Sequence, residues 1–324
     1  MARVKILFHD NCFDGAASAS LFARFYAKTF DAAASFEFAG KAHGTGNVYS
    51  ADSFDGDVNA VVDFRYSSDP RLEWWFDHHV SAFPTPGDEA HFRAHPSAHK
   101  FFDPKARSCT KFLAVECAAK FGWDWSAHQE LVHWADIIDG AQFESPRAAV
   151  ELAEPALQLM TWVENNQDPA LKRRFIDDLT TRSLADVAAE SYVTTALTPI
   201  LEAHKRGIDI VRARAKLDRG VVSFDVADDG LAAYNKFIPY FLFPETHYVV
   251  GVSLTPTRAK VSVGSNPWQA ARRSVNIAAL CEKYGGGGHP VVGAVSLPTG
   301  ELARARQAAE EIAETLRAAA PKEK

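Results

Sequence analysis

The sequence reads as an α/β protein: a mostly parallel sheet flanked by helices, then a helical connector, then a smaller α/β domain. Three observations predict this. Short apolar runs in the first third alternate with helical stretches, the pattern of strands covered on both faces by crossover helices. Residues 145–217 are almost wholly helical in texture, with few turn signals beyond Pro146, Pro155, Pro169 and Pro199. After Arg219-Gly220 strand-like runs return. The chain has 324 residues, enough for two domains of roughly 150 residues each. The change of texture puts these domains at 1–197 and 220–324, joined by a connecting helix over 198–219.

Each element has its own justification. Residues 4–8 (VKILF) form a strand, Asp14-Gly15 a turn, and residues 16–30 a helix. Residues 60–62 form a second buried strand ending in Asp63, and residues 72–76 a third ending in Asp77-His78-His79. Residues 105–121 and 126–139 read as helices, the second opened by Ser126 as cap with Gln129 three residues on. The connecting helix begins at Thr198, a cap, with Pro199 at its first position. Strands follow at 221–226, 247–254, 260–263 and 291–297. A closing helix over 302–316 places Leu302, Ala305, Ala309, Ile312 and Leu316 on one face.

Composition narrows the function classes. With 47% hydrophobic and 23% charged residues the chain is neither disordered nor collagenous, and no apolar run approaches the ~20 residues of a membrane span. Its net charge of -6 argues against a basic track for long duplex nucleic acid, while leaving room for a local pocket for a short phosphorylated ligand. Cys12, Cys109, Cys117 and Cys281 are scattered without a CxxC, which suits free thiols in a reducing cytosol rather than a zinc ribbon or disulfide framework. The opening MARVKILFHD lacks a secretory pattern, so a cytoplasmic protein is expected.

The chemistry is concentrated at strand ends. His9-Asp10 with Asp14, then Asp63, then Asp77-His78-His79 follow the first three strands. In an open parallel sheet these ends share one rim, so groups distant in sequence converge. Carboxylate oxygens mixed with imidazole nitrogens suit manganese, iron, cobalt or zinc. Paired metals roughly 3.5 to 4 Å apart can activate water and neutralise a phosphoryl oxygen.

Five ordered motifs make the chain similar to the DHH phosphoesterase superfamily. They are HDNCFDG (9–15), VVDF (61–64), FDHH (76–79), ADIID (135–139) and GGGGH (285–289), the last marking the DHH-associated C-terminal domain. The resemblance implies two divalent ions, manganese first among them. His9 and Asp63 would hold one, and Asp14, Asp63, His78 and Asp136 the other, with Asp63 as bridge. Asp136 matches the family's last acidic ligand better than Asp139. Asp77 would orient the histidine pair, and His79 would lie against the scissile phosphate as donor or acid. Many members carry an aspartate where this sequence has Cys12, and the spacing from His9 to Asp14 is one residue short. Cys12, Asp10 or a water could complete the first site.

By the same resemblance Gly286, Gly287, Gly288 and His289 bind substrate across an interdomain cleft that forms the active site. An arginine-serine pair common in relatives is replaced by Gly264-Ser265, so Arg272 and Arg273 are candidate replacements. Arg107, with Lys105, Ser108 and Thr110, opens a helix suited to phosphate. His91, His95 and His99 recur every four residues, but Pro96 breaks a continuous helix and a solvated loop is expected. Residues 40–46 read as a turn, and Trp74, Trp75 and Trp268 as core rather than base-stacking residues. The implied activity is hydrolysis of phosphate esters in short oligonucleotides, pAp, or linear or cyclic dinucleotides, with a homodimer left open. A polyphosphate or pyrophosphate hydrolase is the alternative enzyme, and a weakened nucleotide-sensing module the alternative of another class.

Overall fold

The computed structural model describes residues 1–42 and 48–319, apart from the side chain of Arg272. The chain folds as two compact units: Met1–Phe143 with Leu152–Thr198, and Glu144–Glu151 with the residues from Pro199 on.

In chain order the first elements are β1 (Arg3–His9), α1 (Phe13–Thr29), β2 (Ser35–Lys41), β3 (Val58–Val62), β4 (Trp74–Asp77), α2 (Pro86–Ala94), β5 (Lys100–Phe102), α3 (Cys109–Phe121), α4 (Gln129–Asp139), α5 (Pro146–Glu151), α6 (Pro155–Asn165), α7 (Pro169–Thr181), α8 (Leu184–Ala188) and α9 (Ser191–Arg214), with α5 and the part of α9 from Pro199 on belonging to the second unit. Among the described residues the first unit holds a five-stranded sheet of order β2-β1-β3-β4-β5. All its pairings are parallel. β1, β3 and β4 are therefore neighbours, and their C-terminal ends lie side by side. Both faces are covered, which is why these strands read as apolar runs. On one face Leu7, Val61 and Trp75 join Phe54, Phe64, Tyr66 and Leu72. Trp74 and Phe76 instead meet Phe22 of α1. α1 is buried from Phe13 to Phe22 without interruption and packs on α3, α4 and α7. Trp74 and Trp75 are core, at 2% and 0% exposure.

Several expectations are corrected. Gly40 and Lys41 belong to strand β2 rather than to a turn, while residues 43–46 of that motif lie outside the described residues. His91 sits on α2 and His95 caps its end, so only His99 is in a loop, where it stacks on Trp74 at 3.9 Å. Residues 105–108 precede α3, which Ser108 caps by accepting from Lys111 N. Ser126 forms no capping box; its own N–H donates to Asp124 at the start of a short 3-10 turn. The connecting helix begins at Ser191, with Pro199 inside it and the Thr198 hydroxyl donating to the Thr194 carbonyl.

The second unit continues with β6 (Lys216–Asp218), β7 (Val221–Asp225), α10 (Ile238–Leu242), β8 (Tyr248–Leu254), β9 (Ala259–Ser265), α11 (Ile277–Glu282), β10 (Gly287–His289), β11 (Val292–Leu297) and α12 (Leu302–Ala319). Its sheet has order β10-β11-β9-β8-β7-β6 and is antiparallel except for β7 with β8. The expected face of α12 is confirmed, with Ala305, Ala309, Ile312 and Leu316 packed on Val250, Val252, Val261 and Val295. Among the described residues no helix is long and apolar enough to cross a membrane.

Candidate metal centre

The ends of β1, β3 and β4 bring His9, Asp63 and the Asp77-His78-His79 turn together. Asp63 leaves β3 with φ 56°, a left-handed conformation that aspartate tolerates better than most residues. Its N–H donates to the Phe76 carbonyl, fixing the turn against β4. α1 contributes Asp14, and close approach of this helix to β1 requires Gly15, where a Cβ would lie 2.1 Å from the His9 carbonyl oxygen.

Three overlapping donor triads result, each with ligand atoms within 4.8 Å of one another: His9, Cys12 and Asp63; Asp63, His78 and His79; and Asp14, His78 and Asp139. His78 Nε2 lies 3.4 Å from Asp63, 3.5 Å from Asp139 and 3.9 Å from Asp14. His9 Nδ1 lies 3.5 Å from the other Asp63 oxygen. The ring tautomers follow from their partners. His78 Nδ1 is 2.9 Å from the Ala106 carbonyl, which can only accept, so Nδ1 carries the proton and Nε2 faces the carboxylates. Asp77 Oδ1 accepts from the His78 and His79 backbone N–H groups and from His79 Nδ1 at 2.7 Å. Asp77 thus holds both histidines without facing the triads itself.

The electrostatics are those of a cation site. Burial and then the charges of Asp63 and Asp139 push the Asp14 carboxyl well up. Burial and Asp63 push Asp139 up to about 6. Burial also works to raise Asp63, but contacts with His78 and His9 outweigh it and hold that carboxyl below its usual range. His78 is raised to about 10 against the effect of burial, by Asp63, Asp14 and the Ala106 carbonyl. Burial, Asp63 and Asp14 push the Cys12 thiol up. Both Asp63 oxygens and His78 Nε2 are buried and make no hydrogen bond among the described residues. Unsatisfied carboxylate oxygens beside an imidazole nitrogen fit a divalent ion, which would discharge the repulsion among the three aspartates.

Two expected ligands are placed elsewhere. Asp136 accepts from Lys111 at 2.8 Å and lies 3.9 Å from Arg107, so the last turn of α4 offers Asp139, not Asp136, to the cluster. Both residues share one helix face at a spacing of three, which the motif alone does not separate. Asp10 is paired with Lys172 at 2.8 Å. The phosphate site expected at the start of α3 is filled from within: the Asp14 carboxylate accepts from Cys109 N at 2.6 Å and Thr110 N at 3.0 Å.

The glycine run is partly strand. Gly287, Gly288 and His289 pair with β11, and a Cβ at Gly286 or Gly288 would lie 2.2 or 2.3 Å from a carbonyl oxygen of that strand. Close backbone packing therefore accounts for two of the four glycines. At Gly264 a Cβ would meet the Tyr240 hydroxyl at 2.5 Å, so the tyrosine occupies the space a larger side chain would need.

Fold and strand-end cluster together define the class: the chain has the fold of DHH-domain proteins. Among solved structures it is similar to PggH, a pGpG-specific phosphodiesterase from Vibrio cholerae, at 18% identity and TM-score 0.66 over 96% of this chain and 98% of that one. It is also similar to the DHH domain of a protein described as a member of a family of ribosomal proteins, at 14% identity and TM-score 0.55 over 97% and 87% of the two chains. RecJ of Thermus thermophilus in complex with manganese aligns at 12% identity and TM-score 0.51 over 97% of this chain and 52% of that one. No protein-family model and no curated protein matches the sequence.

Proposed function

We propose that the chain is a metal-dependent phosphoesterase acting on short oligonucleotides or small nucleotides. The observation that supports this best is the meeting of His9, Asp14, Asp63, His78 and Asp139 in overlapping triads at one sheet edge. His9 and Asp63 would hold one divalent ion, and Asp14, Asp63, His78 and Asp139 the other, with manganese suited to the oxygen and imidazole donors of the second. Such ions, when bound, lower the pKa of water and offset charge on a phosphoryl oxygen.

The protein's own groups prepare the rest. Asp63 faces two triads, and the Ala106 carbonyl keeps the His78 proton on Nδ1. His79 is raised in pKa against its burial, by the Asp77 hydrogen bond and the charge of Asp63, so its ring holds a proton readily. With Nδ1–H bound to Asp77, the second proton sits on Nε2, from which it can pass to a leaving oxygen. In the second unit Gly286, Gly287, Gly288, His289 and Arg273 are the candidates for substrate contact, His289 being exposed.

PggH is described as acting on pGpG, which makes a linear dinucleotide the first substrate to try. The test is a panel of pGpG, short RNA, pAp, cyclic di-AMP, pyrophosphate and polyphosphate with manganese. Turnover of one of the nucleotides is expected; tight nucleotide binding without turnover of any compound would contradict an enzyme.

A further inference from the structure

The loop between β1 and α1 carries Cys12, one donor of the first triad. Two of its side chains, Asp10 and Cys12, compete on sequence grounds to join His9 and Asp63. The structure commits one of them elsewhere. Asp10 Oδ1 receives Lys172 Nζ at 2.8 Å and the Asn11 N–H at 2.9 Å. Lys172, only 6% exposed, also donates to Asn11 Oδ1 at 2.7 Å. This buried amine ties α7 to the loop and turns Asp10 toward itself. Asn11 then takes φ 55°, and Cys12 enters α1 with φ -129°. The Cys12 sulfur consequently lies with a His9 nitrogen and an Asp63 oxygen inside a 4.8 Å group. Asp63, 1% exposed, puts Oδ2, a buried oxygen that makes no hydrogen bond among the described residues, 3.5 Å from His9 Nδ1.

We infer that Cys12 is a thiolate ligand of the metal held by His9 and Asp63, and that this position prefers zinc, cobalt or iron over manganese. The inference rests on the metal-centre reading above. A sulfur, a nitrogen and an oxygen donor around one point form a softer set than carboxylates with imidazole alone, and thiolate shifts selectivity away from manganese. Binding exchanges the S–H bond for a sulfur–metal bond and releases the proton to water, with no change of oxidation state. Lys172 acts here as a positioning residue, through Asp10 and Asn11.

The test loads the full-length, metal-free protein with cobalt(II) and records its electronic spectrum. Expected are visible ligand-field bands together with a near-ultraviolet thiolate-to-cobalt charge-transfer band, the latter lost in Cys12→Ser while the ligand-field bands remain. In Cys12→Asp the zinc-over-manganese preference measured by competition falls. Ligand-field bands without the charge-transfer band in the parent, or a band unchanged in Cys12→Ser, overturns the thiolate and leaves the metal centre standing. No cobalt uptake by the parent overturns both. Should Cys12→Ser fail to fold, alkylation of Cys12 in the parent, read by peptide mapping, decides: protection by cobalt is expected, and an unchanged rate overturns the inference.

Discussion

At the scale of single residues, the site works through partners that fix proton positions and side-chain aim. Asp136 and Asp139 stand one turn apart on α4, yet their surroundings differ. Asp136 is paired with Lys111 at 2.8 Å, whereas Asp139 sits against His78 with its carboxyl raised to about 6, through burial first and the charge of Asp63 second. Asp139→Asn is therefore expected to weaken metal binding sharply in calorimetric titration, and Asp136→Asn to leave it near the parent value. The opposite order would restore Asp136 as the ligand. Most residues of the candidate site were legible in the sequence: His9, Asp63 and Asp77-His78-His79 follow apolar runs, with Asp14 just beyond the first. What it could not resolve were competitions settled by distant residues, Asp10 being drawn away by Lys172 on α7 and Asp136 by Lys111 on α3.

At the scale of elements, close packing at the ends of β1 and α1 holds the donors in place. Gly15→Ala places a methyl group against the His9 carbonyl, and an overpacked site of this kind costs about 1–3 kcal/mol. Denaturant unfolding should show a loss of that size, and an unchanged midpoint would mean that α1 can shift freely. α1 is anchored further by Arg24, which contacts the His128 ring and the Leu179 carbonyl. Burial, with the Arg24 charge second, lowers His128 from 6.5 to about 4. Between those values the unfolded chain binds more protons than the folded one, so stability falls as pH drops from 6.5 towards 4. His128→Asn should flatten that part of the stability–pH curve; an equally steep curve in the variant would remove His128 as its source. Elements with a continuous apolar run, such as β1, β3 and β8, were legible because burial on both faces leaves a plain signature. β2 was not, since as an edge strand of the sequence SFEFAGK it is only partly buried and carries no such run. Pro199 misled in the other direction: a proline at a helix start is the common case, and here α9 continues through it.

At the scale of the whole molecule, the described residues hold two sheets of different construction. One is parallel, with its strand ends gathered into a donor cluster; the other is mixed and backed by α12. The acidic balance of -6 takes on a local meaning, because three of the carboxylates converge on a single imidazole. The proposed function assigns metal-dependent cleavage of phosphate esters to this cluster. The most direct measurement is hydrolysis of a linear dinucleotide by the parent and by Asp63→Ala across one divalent-metal titration, with thermal unfolding of both proteins as control. The predicted result is metal-dependent hydrolysis by the parent and none by a folded Asp63→Ala. Hydrolysis that ignores the metal, or that survives in Asp63→Ala, would contradict it.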